Sequence, residues 1–270
     1  MTRRILLTGA SGRVAGMLRP MLRERYGRIV LSDRDAPHDL HENEEFRPAD
    51  LTDFAALRAA CSEVDGIVHL GGQSNEADWE TVRRANIEGM YNLLEAARQA
   101  GVERFVFASS NHVTGMYERQ EKIGVSDPVR PDSRYGAAKA FGEALASLYA
   151  DKYGMAVLSI RIGHVSMAPR ELRQLSIWIH PEDLMQLIGI GLESECVRNE
   201  IVFGMSENIR AFWDNSKATR LGYAPLHRAE DYAEAVLAAE EAGKERDPVA
   251  ERYQGGDFAA QERVKLKKRR

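Results

Sequence analysis

Tyr135 and Lys139, four residues apart in RYGAAK, have the side chains and the spacing for removing a proton from an alcohol. On a helix this spacing sets phenol and ammonium on one face. A phenol with an ordinary pKa near 10 is a poor base at neutral pH. A cation about 4 Å away, at an effective dielectric near 20, favours the phenolate by about 4 kcal/mol, or roughly three pKa units. Tyr135 would then take a proton from a substrate hydroxyl as hydride leaves the same carbon. Many ordinary helices carry such a pair, so its meaning depends on what surrounds it. Upstream, RFVFASSNH brings Ser109, Ser110, Asn111 and His112 to the end of an apolar run. There the Ser110 hydroxyl would hold the reacting oxygen within reach of Tyr135. Serines also end many strands without a catalytic role.

A departing hydride needs an acceptor, and TGASGRVAG, Thr8 to Gly16, stands directly after the apolar run Ile5-Leu6-Leu7. Glycines at 9, 12 and 16 between a strand and a helix let the backbone approach a pyrophosphate, and the helix N-terminus offers free N–H groups. Ala15 stands where many such turns have their third glycine. Glycines alone do not separate a nucleotide site from a bare turn. RIVLSD ends at Asp33, about 20 residues beyond Gly12, the spacing at which an acid accepts from the adenosine ribose hydroxyls. An acid there disfavours a 2′-phosphate, so NAD is expected over NADP, although the adjacent Arg34 offers a guanidinium to such a phosphate. Asp50 and Leu51 are placed to meet the adenine edge, and Leu70-Gly71-Gly72 to end a strand close against the cofactor.

Short β-rich runs alternate with longer amphipathic segments: RILLT, a helix from about Arg13 to Arg25, RIVLSD, a helix capped by Thr52, GIVHL, a long helix from about Asp78 to Gln99, and RFVFASS. This rhythm predicts βαβ units and a parallel sheet, with ligands at the carboxyl ends of its strands. Gly101 is placed as a helix stop and Pro181 as a first-turn proline. Residues 111–131 read as a long loop serving a site, followed by a helix from about Arg134 to Tyr153 and a strand at AVLSIRIG. After Met167 the alternation is lost. The expected fold is therefore α/β, a Rossmann-type doubly wound parallel sheet over residues 1–160. Residues 161–270 would form a small, interwoven C-terminal substrate lobe.

Thirty-seven basic and 41 acidic side chains give a net charge of −4, so no global field recruits nucleic acid or an anionic membrane. The basic run Lys265 to Arg270 reads as a solvated terminus. With no apolar stretch of membrane-spanning length and no CxxC spacing, a cytoplasmic location is expected, and Cys61 and Cys196 are read as buried thiols. His69 is read as a core histidine. His38 and His41, with Glu42, Glu44 and Glu45, are read as a solvated surface rather than a metal site.

Together TGASGRVAG, Asp33, HLGG, the strand-end SS and YxxxK resemble the extended short-chain dehydrogenase/reductase superfamily over most of the chain. More narrowly, HLGGQS, FASSNHVTG, RPDSRYGAAKAFGE, RIG, Trp213-Asp214-Asn215 and RYQGG resemble uronate dehydrogenases. That resemblance implies an NAD-dependent oxidation at C1 of a hexuronic acid, such as glucuronate or galacturonate, to the aldarolactone. It implies Tyr135 as base, Lys139 as its partner and ribose ligand, and Ser110 as polariser of the C1 oxygen. Gly9, Ser11, Gly12, Arg13, Val14, Asp33, Asp50, Leu51, Leu70, Gly71, Gly72, Asn86 and Ile162 would meet NAD along with Tyr135 and Lys139. Ser74, Asn111, His112, His164 and Arg173 would line the sugar, with Arg173 on its carboxylate and His164 where the family usually has serine. A homo-oligomer is compatible with the family. The alternatives are a dehydrogenase of another aldose or sugar phosphate, and a sugar epimerase or dehydratase of the same superfamily. An NAD-sensing protein would have no need of the proton acceptor.

Overall fold

A computed structural model describes residues 3–240 and 247–262. The strands are β1 (Ile5–Thr8), β2 (Ile29–Ser32), β3 (Glu44–Phe46), β4 (Gly66–His69), β5 (Arg104–Ser110), β6 (Ala156–Ile162), β7 (His164–Val165), β8 (Trp178–Ile179) and β9 (Asn199–Gly204). Seven of them form one sheet in the order β3-β2-β1-β4-β5-β6-β9, every pairing parallel, and β7 pairs with β8 separately. The order reverses between β1 and β4, where their carboxyl ends open a crevice. This is the expected doubly wound sheet.

The short apolar runs are buried on both faces, which is why they read as nearly unbroken hydrophobic strings. Leu6, Val30, Ile67, Phe105 and Val157 pack on one face against α2 (Phe54–Ala60), α4 (Gly89–Gln99) and α5 (Arg134–Tyr153). Their neighbours Ile5, Leu7, Ile29, Leu31, Val68, Val106 and Leu158 point the other way, with α1 (Arg13–Tyr26) and α7 (Pro181–Glu193). Ala15 is fully buried in this second core, so the small residue in place of glycine serves helix packing.

Residues 161–240 and 247–262 contribute both to the sheet layers and to packing outside them. Helix α7 and strand β9 extend the sandwich, while α6 (Gln174–Ile177), α8 (Ser216–Arg220), α9 (Ala233–Glu240), α10 (Pro248–Arg252) and α11 (Asp257–Ala260) fall outside the sheet's strand-helix repeat. Two further clusters hold this part together: Trp213 stacks on Phe203 at 4.8 Å, and Trp178 packs with Leu175, Ala229 and Val236.

Several local expectations shift. The cap of α2 is Asp53, which accepts from Ala56 N; Thr52 is drawn away because its N–H and hydroxyl both bind Asp50. The long helix is α3 (Trp79–Val82), a π-helical turn (Arg83–Glu88) and α4 in succession. Cys61 is buried, but Cys196 is exposed in the turn after α7. Glu44 is not a solvated surface group, since its carboxylate is enclosed and binds Arg19 and Arg23. His69 is the core histidine expected, bonded to Thr8 at 2.7 Å, with burial pushing its pKa down to about 3. Gly101, at positive φ, and Pro181 stand at helix ends as read from the sequence. The basic terminal run lies outside the described residues. Among the described residues, no helix is long and apolar enough to cross a membrane.

Candidate active site

The position of Tyr135 follows from how α5 is held against β5. A Cβ on Gly142 would stand 2.6 Å from the Phe107 ring, and one on Gly136 would stand 2.3 Å from the His112 carbonyl oxygen. Glycine at both points lets the helix approach the strand and the 3-10 turn (Asn111–Thr114) that follows it. Ser133 caps the helix by accepting from Gly136 N. Glu76, from the loop after β4, accepts from the Tyr135 and Arg134 backbone N–H groups and binds the Arg134 guanidinium. An acid at this positive helix end holds the first turn in place. Below the site, Ser109 donates to Glu143, whose carboxylate takes a paired contact from Arg161 at 2.9 and 2.8 Å. Strand alternation thus sends Ser109 inward to brace α5 and leaves Ser110 for the site.

Tyr135, Lys139 and Ser110 are brought together as expected and are all buried. Their electrostatics differ from the expectation. The Lys139 Nζ lies 5.7 Å from the Tyr135 ring centre and donates to the Ala108 carbonyl at 2.8 Å. Burial raises the Tyr135 pKa above its ordinary value, against a lowering contact from the Ser110 hydroxyl and with a further rise from Asp132. Burial also pushes Lys139 down to about 8. Burial, rather than the ammonium, therefore sets the direction of the phenol's shift in the protein alone.

His112 stands edge-on to Tyr135, with ring centres 5.8 Å apart, and stacks on Phe258 of α11 at 3.9 Å. Its Nδ1 binds the enclosed Asp132 carboxylate at 2.7 Å. With its amide set to satisfy both neighbours, Asn111 donates to the Ile162 carbonyl at 3.1 Å and accepts from Arg173 at 3.0 Å. Arg173 is half-buried and also donates through Nε to the Gln254 carbonyl at 2.8 Å. It pairs with no carboxylate among the described residues, and burial, chiefly, lowers its pKa to about 10. His164 is half-buried, and burial with the charges of Arg13, Arg173 and Arg170 pushes its pKa down to about 4. Imidazole at this position is thus a neutral neighbour of a cationic group.

A cavity of about 820 Å³ opens at the crevice between β1 and β4, within the range of cofactor pockets. Gly9, Ser11, Gly12, Arg13, Val14, Asp33, Asp50, Leu51, Leu70, Gly71, Gly72 and Ser74 all line it, as does Arg34. A Cβ on Gly9 would stand 2.7 Å from Gly71 N, so the first glycine is required by the contact between the two strand ends. The α1 N-terminus has neither a side-chain cap nor an acid in its first turn, whereas α2, α3, α5 and α7 are each capped by a side chain. Its free N–H groups suit a phosphate. Asp33 accepts from Ser11 N and sits at the cavity edge, and Arg13 ties the turn to Val165. These residues fit a dinucleotide. The Asn86 amide is occupied with the Gln73 backbone in both directions, and so shapes the strand-end loop that lines the cavity.

Four neighbours of the site were not legible beforehand: Glu76, Asp132, Gln254 and Phe258. Glu76 is an isolated acid in a loop. Asp132 precedes the capping serine and reads as part of the turn. Gln254 and Phe258 reach the site only through tertiary packing, although RYQGG marked their neighbourhood.

The NAD dependent epimerase/dehydratase family matches residues 5–181. A uronate dehydrogenase from Pseudomonas putida is 42% identical over 262 residues, covering 95% of each chain. The crystal structure of a glucuronic acid dehydrogenase from Chromohalobacter salexigens has a TM-score of 0.91 and 40% identity, covering 96% of this chain and 97% of that one. A uronate dehydrogenase from Agrobacterium tumefaciens, as a mutant complexed with NAD, has a TM-score of 0.90 and 38% identity with the same coverage. With the family model matching well over half of the chain and these relatives about 40% identical over almost all of it, the chain belongs to the NAD dependent epimerase/dehydratase family, among its uronate dehydrogenases.

Proposed function

We propose that this protein oxidises C1 of a hexuronic acid, glucuronate or galacturonate, to the aldarolactone with NAD as coenzyme. The observation that carries the anionic substrate is Arg173. A half-buried guanidinium held by a carbonyl and an amide oxygen, with no carboxylate partner among the described residues, is suited to a carboxylate from outside. Ser74, Asn111, His112 and His164 would contact the rest of the sugar.

When bound, NAD supplies the hydride acceptor and a positive pyridinium ring. Gly9, Ser11, Gly12, Arg13 and Val14 would hold its pyrophosphate, and Asp33 its adenosine ribose. Asp50, Leu51 and Leu70 to Gly72 would border the adenine side, with Ile162 and Lys139 towards the nicotinamide riboside. Ser110 orients the C1 hydroxyl, and Tyr135 takes its proton. The C1–H bond breaks with its electron pair leaving as hydride, and C1 becomes the lactone carbonyl. Lys139 spends one of its three N–H donors on Ala108 and keeps two for the ribose. The buried Cys61 and the unpaired thiol of Cys196 suit a reducing cytoplasm.

The test is incubation with NAD and each hexuronate, following free NADH and lactone together. Equal amounts of both support the reading. NADH from glucose 6-phosphate but from no uronate would replace it with a sugar-phosphate dehydrogenase, and isomerised sugar without NADH would replace it with an epimerase.

A further inference from the structure

His112 has one ring nitrogen committed and the other without a partner among the described residues. Nδ1 meets Asp132 Oδ2 at 2.7 Å, while the ring is held between the Phe258 face and the Tyr135 edge. The Asp132 carboxylate is fully enclosed. A Cβ on Gly115 would stand 1.8 Å from its Oδ2, and one on Gly255 would stand 1.9 Å away, so two bare backbone segments make room for it. Its other oxygen accepts from the Ser133 hydroxyl at 2.7 Å, and Ser133 in turn accepts from Gly136 N at the head of the catalytic helix. Enclosing a carboxylate is costly unless its oxygens are satisfied, and here one of them is spent on an imidazole.

We infer that Asp132 is a positioning residue that fixes the proton of His112 on Nδ1, so that Nε2 faces the sugar as a hydrogen-bond acceptor for one of its hydroxyls. A carboxylate accepts only, so Nδ1 must be the donor. In the uncharged form of the ring the other nitrogen then carries a lone pair. Ser110, by contrast, has its own hydroxyl proton to donate. The pair gives the site one group that recognises a sugar O–H by accepting from it, and the backbone at Gly115 and Gly255 keeps the arrangement from relaxing. The sugar hydroxyl as the ligand of Nε2 rests on the proposed uronate oxidation; the tautomer does not.

Two measurements keep those claims apart. In the protein alone, nitrogen NMR of labelled histidine, with the resonance assigned by His112→Gln, should show the proton on Nδ1. A proton on Nε2, alone or together with one on Nδ1, would overturn the inference, whatever the enzyme oxidises. Asp132→Asn keeps the shape, and with Ser133 still donating to the amide oxygen it presents an N–H to Nδ1 and moves the proton to Nε2. The expected result is a KM for the uronate raised about tenfold, one hydrogen bond lost in the complex, with NAD affinity little changed. In a His112→Ala background the same change should have no further effect on KM, because Asp132 acts through His112. A KM penalty of equal size with and without His112 would make Asp132 merely structural and overturn the inference, as would an unchanged KM in Asp132→Asn. Should Asp132→Asn fail to fold, the wild-type tautomer still decides. Should no uronate be oxidised at all, the functional reading falls while the tautomer measurement stands.

Discussion

The Lys139 ammonium stands 5.7 Å from the centre of the Tyr135 ring and gives its hydrogen bond to the Ala108 carbonyl, not to the phenol. Within the protein alone the balance at Tyr135 is therefore set by burial, which raises its pKa. In the proposed oxidation, the positive pyridinium ring of bound NAD would oppose that rise. The Tyr135 phenol should titrate above its ordinary value in the free protein and lower with NAD bound than with NADH bound, read as the ultraviolet difference lost in Tyr135→Phe. Equal titration in the two complexes would refute this. Tyr135→Phe should also cut kcat by about 10²–10⁴-fold while NAD affinity holds.

Lys139 makes stability depend on pH in a defined window. Burial lowers its pKa to about 8, while in the unfolded chain it titrates near the ordinary lysine value. Between these values the unfolded state binds more protons than the folded one, so stability rises with pH, by about 3 kcal/mol across the whole window. Below it the penalty is fully present. Urea unfolding should find Lys139→Met gaining on the wild type at about pH 7.5 and the gain shrinking towards about pH 10. A difference independent of pH would contradict the buried ammonium.

Arg173→Lys should raise the KM for hexuronates by about 10- to 100-fold, the loss of one charge-assisted hydrogen bond, and leave any activity on neutral aldoses in place. The two classes of sugar compared side by side decide it. An equal loss on both would mean that Arg173 holds the fold around Gln254 rather than the carboxylate.

His164 predicts an acid-sensitive site. Its pKa is held at about 4, chiefly by burial and then by Arg13, Arg173 and Arg170. As pH falls from the ordinary histidine value near 6.5, the unfolded chain takes up a proton first, so the folded state loses stability down to about pH 4. His164→Ser should remove part of the fall in Tm between about pH 7 and about pH 4.5. Parallel Tm curves for the two proteins would exclude this effect.

Much of the coenzyme half was legible because its determinants are local. Strand periodicity, a glycine turn and an acid at the next strand end lie within the first 33 residues, and the structure gathers them round one cavity. Helix α5 spans the residues expected from the sequence, since Ser133 and Gly154 mark its ends. The electrostatics were not legible, because the separation of Lys139 from Tyr135 depends on which neighbour the ammonium binds. The support of the sugar side was hidden for another reason. Glu76, Asp132, Gln254 and Phe258 meet Arg134, His112, Arg173 and again His112 through contacts spanning up to 146 positions in the sequence, and no periodicity announces such contacts. The π-helical turn likewise breaks a pattern that reads as one helix.

The segment from Tyr253 to Phe258 closes on residues far upstream: Gln254 on Arg173 and Trp213, Gly255 on Asp132, and Phe258 on His112. In the order of synthesis, the residues round the crevice between β1 and β4 therefore come well before those that brace Arg173, Asp132 and His112. A chain cut short ahead of this segment would keep the residues round the crevice and lose the contacts that hold Arg173, Asp132 and His112 in place.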